Sequence, residues 1–123
     1  MSHLLEDTLR RTANSWGKAT IVNYEEWDVL PVAYTREGLI PEPTIEVTDE
    51  KVQDAAIRFP GQRVTLLNFA SGVNPGGGVR NGAKAQEEDL CRASGLLHGL
   101  EALPQFYQWN RNKGAPPEGY DTM

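Results

Sequence analysis

The chain has 123 residues and a net charge of −5, a length that fits one domain and a balance that disfavours broad electrostatic binding to a polyanion such as nucleic acid. Its hydrophobic content of 39% and charged content of 24% fit a folded chain rather than a disordered one. A single cysteine, Cys91, rules out an internal disulfide, His3 and His98 are too far apart to suggest a zinc site, and no apolar run approaches the ~20 residues of a membrane span.

The N-terminal stretch MSHLLEDTLRRTANSW is amphipathic and mixed in charge, without the apolar centre and cleavage site of a signal peptide. A soluble cytoplasmic protein is therefore expected. Leu4, Leu5, Thr8, Leu9, Thr12 and Trp16 fall near helical spacing, which predicts a helix over 3–16 that Gly17 ends. Residues 19–24 (ATIVNY) read as a short strand, 27–34 as an irregular or edge segment because of Pro31, and 36–43 as a loop. A further short strand is expected at 44–47. Asp49 is placed to cap a helix over 50–58, stopped by Pro60 and Gly61.

Residues 63–69 (RVTLLNF) form a continuous apolar run bounded by turn signals, the pattern of a buried central strand. A glycine-rich loop follows, from 70 to about 82, and then a helix over 83–100 with Leu90, Leu97 and Leu100 near one face. Pro104 interrupts the next segment, and 110–123, with two glycines and two prolines, reads as a loop.

The order strand, glycine loop, helix start is common to many anion and nucleotide sites, because exposed N–H groups of the loop and helix end can face a phosphate. Three consecutive glycines permit backbone shapes and a closeness of approach that side chains would block. The loop is neither a Walker A sequence nor GxGxxG, so the glycines alone fit a structural turn as well as a binding site. The acids Glu87, Glu88 and Asp89 at the helix start have a bland reading as well, since a helix N-terminus stabilises carboxylates. Arg80 and Lys84 fit a phosphate contact or a solvated loop. Cys91, with no histidine placed to activate it, reads as a small packed residue.

The joined stretch NFASGVNPGGGVRNGAKAQEEDLCRASGL resembles the microbial poly(ADP-ribose) glycohydrolase family, marked by a GGG loop, a short spacer and QEE. Here these are Gly76, Gly77 and Gly78, seven intervening residues, and Gln86, Glu87 and Glu88. The similarity is strong over about 63–97 and looser before it.

The resemblance implies an α/β fold, a macrodomain-like mixed sheet with flanking helices. Residues 1–60 would form an N-terminal accessory region and 61–123 the first part of the catalytic domain. Family members carry a further C-terminal half, so the fold is expected to be incomplete at its C-terminal end, with an unpaired sheet edge open to self-association.

The implied activity is hydrolysis of ribose–ribose O-glycosidic bonds in poly(ADP-ribose), releasing ADP-ribose and so reversing ADP-ribosylation. By position, Glu88 would be the catalytic acid/base and Glu87 would hold ribose hydroxyls. Gly76, Gly77 and Gly78 would shape the ribose–diphosphate pocket, Asn68 and Asn74 would bond the ribose or the loop, and Gln86 would support the loop or the neighbouring carboxylates at the edge of the substrate site. No cofactor or metal is implied. The partner is poly(ADP-ribose) or an ADP-ribosylated protein, without direct nucleic-acid or membrane binding. The alternative is an ADP-ribose-binding module or inactive fragment without turnover, its cleft lacking the C-terminal half. Neighbouring helical residues point about 100° apart. Glu87 and Glu88 therefore do not form the usual pair of carboxylates flanking a bond, which favours a single acid/base.

Overall fold

Asp7 lies one helical turn from both Arg10 and Arg11 and pairs with each, at 2.5 and 2.7 Å, on the solvent side of helix α1 (His3–Thr12). The opposite face carries Leu5, fully buried, and Leu9. In this computed structural model, which describes residues 3–21 and 44–113, α1 ends at Thr12 rather than at Gly17. The Ser15 N–H donates to the Thr12 carbonyl at 3.1 Å and turns the chain there.

Helix α2 (Val52–Ile57) starts after an extended Lys51, two residues beyond the expected cap at Asp49. Residues 79–81 form one 3₁₀ turn, followed by α3 (Gln86–Ala93), α4 (Leu96–Glu101) and α5 (Pro104–Lys113). The expected single helix over 83–100 is thus two. Ser94 is extended between them, and its hydroxyl donates to the Leu90 carbonyl at 2.8 Å and accepts the Leu96 N–H at 3.3 Å. A serine that bonds the backbone locally offers the chain an alternative to the helix ladder. Pro104, expected to interrupt, instead opens α5, where a missing N–H and a fixed φ cost nothing.

The core is Leu5, Val79, Cys91 and Leu97, flanked by Leu9, Leu96 and Leu100. It lies between α1, α3, α4 and the 3₁₀ turn. Polar bonds tie the same elements: Thr8 Oγ1 donates to the Arg92 carbonyl at 2.6 Å, and His98 Nε2 bonds the Leu9 carbonyl at 2.9 Å. Trp16 stacks on the His98 ring at 6.0 Å between centroids. No helix among the described residues is long and apolar enough to cross a membrane.

The mixed α/β sheet is not seen. The described residues are helical and contain no β-strand, so the macrodomain-like fold is corrected to a small helical packing around a glycine loop. Residues 63–69 join no ladder, and Leu67 and Phe69 are 65% and 70% exposed. An apolar β-branched run satisfies only the local half of what a strand needs; the neighbour that pairs its N–H and C=O groups is not a local property. Here the Phe69 N–H and Leu67 carbonyl are taken by a side chain, that of Gln86. The strand expected at 44–47 is likewise unpaired, with Ile45 and Val47 exposed. That of 19–24 is irregular up to residue 21. Its end, the 27–34 segment and the loop at 36–43 lie outside the described residues.

Candidate active site

The glycine loop is built from short turns. Ser71 Oγ accepts the N–H groups of Val73 and Asn74 at 3.3 and 3.1 Å, and the Gly77 N–H donates to the Asn74 carbonyl at 3.0 Å. Gly76 and Gly77 both have positive φ, +72° and +58°, a region that costs any other residue with a Cβ about 1–2 kcal/mol. Packing adds a second demand. A Cβ at Gly76 would stand 2.7 Å from Leu97 Cδ1, and one at Gly77 would stand 2.5 Å from Glu88 Oε1 and 3.3 Å from Glu87 Oε2.

The acids come from the first turn of α3, and each turns inward. Glu87 and Glu88 are 2% and 6% exposed. Ala85, the residue before the helix, offers no side-chain cap, and both carboxyl groups turn back onto N–H groups of the loop. Glu87 is held at both oxygens: Oε1 accepts from Asn68 Nδ2 at 3.4 Å and Oε2 from the Ser71 N–H at 2.9 Å. Glu88 is held at one, Oε1 accepting the Gly78 N–H at 2.9 Å. Its Oε2 takes no hydrogen bond from any described residue. The two carboxylates therefore diverge in sequence direction yet meet at one glycine.

The other expected residues fall around this centre. Asn68 reaches Glu87 through its amide nitrogen, while its Oδ1 is buried with no partner. Such an orphan acceptor is uncommon in a folded protein and calls for an explanation. Asn74 is exposed and accepts from Arg111 Nη2 at 3.4 Å. Asn74, Gly77 and Gly78 line a groove of about 340 Å³ with Arg80, Asn81 and Glu101. Gly76 faces the core instead. Arg80 pairs with Glu101 at 2.5 Å across it. Gln86 is turned away from the carboxylates toward the backbone of 67–69. A second cleft, about 440 Å³, opens between the starts of α2 and α3, floored by Leu67 and Phe69. At its edge Lys51 meets Asp89 at 2.6 Å, which holds the Asp89 carboxyl below its usual range.

Cys91 lies under the loop, fully buried, its Sγ 3.3 Å from where a Gly76 Cβ would be. Burial, and then the charges of Glu87 and Glu88, push the thiol up to about 12, so it is a packed thiol and not a nucleophile. No group of three His, Cys, Asp or Glu is placed to hold a metal among the described residues.

Sequence reasoning missed the brace on the loop's far side. Asn110 Nδ2 donates to the Gly72 carbonyl at 2.6 Å, and Arg111 reaches Asn74. Both come from α5, in a stretch that reads locally as loop.

Glu87 and Glu88 are thus two buried carboxyl groups held against the glycine loop by backbone N–H groups and the Asn68 side-chain amide. The chain belongs to the microbial-type PARG catalytic-domain family, whose model matches residues 9–120. It therefore carries a catalytic domain of the poly(ADP-ribose) glycohydrolase type, and poly(ADP-ribose) is the substrate this membership implies. No curated protein and no solved structure matches the chain.

Proposed function

We propose that this chain cleaves ribose–ribose O-glycosidic bonds of poly(ADP-ribose), with Glu88 as the catalytic acid/base. The observation that carries this reading is the unequal treatment of the two acids. Glu87 has both oxygens engaged, whereas Glu88 has one oxygen anchored to Gly78 and the other uncommitted. An acid/base must be oriented by one atom and exchange a proton through another.

Protonated Glu88 would donate from Oε2 to the leaving ribose oxygen as the glycosidic bond breaks. The resulting carboxylate would then take a proton from the water that attacks the anomeric carbon, which restores the acid. Positive charge developing on the ribose would be offset by the carboxylates and by the substrate's own diphosphate. Glu87 would orient ribose hydroxyls at the edge of its clasp. Asn68, bonded to Glu87 through its amide nitrogen, would help hold that carboxyl group toward the ribose. Gly77, Gly78 and Asn74 supply the groove wall along which the diphosphate would lie.

The test is release of ADP-ribose from purified poly(ADP-ribose) by the wild type and by Glu88→Gln, an isostere that keeps the volume and loses the titratable proton. Turnover by the wild type and a loss of about 10²–10⁴-fold in the variant is expected. An active Glu88→Gln protein would sink the assignment. Tight ADP-ribose binding with no turnover by the wild type would favour a binding module instead.

A further inference from the structure

Gln86 donates from Nε2 to the Leu67 carbonyl at 2.8 Å and accepts the Phe69 N–H on Oε1, also at 2.8 Å. These two backbone groups, a carbonyl and the N–H two residues on, lie on one side of the chain just where it turns, the Ala70 N–H donating to the Asn68 carbonyl at 2.9 Å. In a parallel sheet they are the pair that bonds to one residue of the neighbouring strand, its N–H to the first and its C=O to the second. A primary amide carries a donor and an acceptor side by side at any ordinary pH, which a carboxyl group does only when protonated.

We propose that Gln86 is a positioning residue that replaces one residue of a parallel neighbour and so sets the register between residues 67–71 and α3. The inference deepens the function proposed above and, in its kinetic half, rests on it. Register matters because the next residue uses it. Gln86 spans Leu67 and Phe69, and Glu87, one position on, takes the side chain of Asn68 and the N–H of Ser71. In an extended segment a slip of one residue turns alternate side chains to the opposite face. Asn68 would then point away from Glu87, and Ser71 would no longer present its N–H to Oε2. Glu88 follows on the same turn of helix, with Oε1 fixed by Gly78. The amide of Gln86 thus holds the clasp in line without itself touching the reacting bond.

The test compares wild type, Gln86→Met and Gln86→Glu by amide hydrogen exchange and by steady-state kinetics on poly(ADP-ribose). Methionine keeps the length and removes both bonds. The Phe69 and Ser71 amides should exchange at least ~10-fold faster in Gln86→Met. The Asp89 amide, bonded to the carbonyl of Ala85 just before α3, should be unchanged. The kcat should fall at least ~10-fold with KM within about threefold. Glutamate keeps the acceptor and regains a donor only when protonated. The kcat/KM of Gln86→Glu relative to wild type should therefore rise as pH falls, while that of Gln86→Met stays level.

Unchanged Ser71 exchange in Gln86→Met, or a raised KM at unaltered kcat, would overturn the proposal; the latter would mark a direct substrate contact. If the wild type releases no ADP-ribose, the activity reading fails while exchange at Ser71 still decides the positioning role. If Gln86→Met does not fold, Gln86→Glu compared at low and high pH gives both readouts.

Discussion

The space beside Gly77 is occupied by Glu88: a Cβ on the glycine would come within 2.5 Å of the carboxylate Oε1. The loop and the acid are one packed unit, so a change in either must move the other.

Gly77→Ala should therefore act on chemistry more than on folding. The positive φ of +58° costs alanine about 1–2 kcal/mol, a tolerable loss for most domains. Displacing Glu88 by an ångström would cost on the order of 10²-fold in turnover. Parallel thermal melts and ADP-ribose release should show a modest fall in the first and a large one in the second. Equal, small effects on both would mean that the contact does not govern the acid.

Glu87 and Glu88 should separate in the opposite sense when each is replaced by alanine. Removing Glu87 strands the Ser71 N–H and the Asn68 amide, whereas removing Glu88 strands the Gly78 N–H alone. Each buried group left unpaired costs about 1–3 kcal/mol. Chemical denaturation should rank Glu87→Ala as the less stable protein, and the release assay should rank Glu88→Ala as the less active. A reversal of either order would undo the division of labour between the two acids.

Cys91 should be inert in the folded protein. With the thiol pushed up to about 12, iodoacetamide at pH 8 should leave it unmodified until the chain is denatured, as mass spectrometry would show. The folded value lies above the ordinary 9.0. The unfolded chain therefore loses this proton first as pH rises, and stability falls between about pH 9 and 12. Cys91→Ala should flatten that part of the stability profile while leaving turnover near neutral pH largely intact.

Leu97 is fully buried, and its Cδ1 fills the space over Gly76. Leu97→Ala should cost about 2–5 kcal/mol, the range for a buried leucine truncated without collapse. The melting temperature measures the loss. Part of the activity should go with it, since the residue beneath the loop is also what presses on it.

How much of this was legible in the sequence varies residue by residue. That the glycines and Glu87 and Glu88 belong to one site was readable from the resemblance of the joined GGG–QEE stretch, not from the glycines or the acids taken separately. The packed state of Cys91 was readable from the lack of a histidine to activate it. The lack of a sheet among the described residues was not, because the run 63–69 looks like a strand from within while pairing depends on what lies beside it. The break at Ser94 and the bonds of Gln86 and Asn110 also escaped, being choices between side chain and backbone as partner. Composition and periodicity carry no record of that choice.

Helix α1 bears on how the domain can be cut. Thr8 bonds the last turn of α3, and Leu5 packs in the cluster that holds Cys91 and Leu97. Removing residues 3–12 would leave the carboxylates and their amides untouched in sequence, yet would wet the back of the helix that carries them. A deletion there would disturb Glu87 and Glu88 through a segment that bonds neither of them.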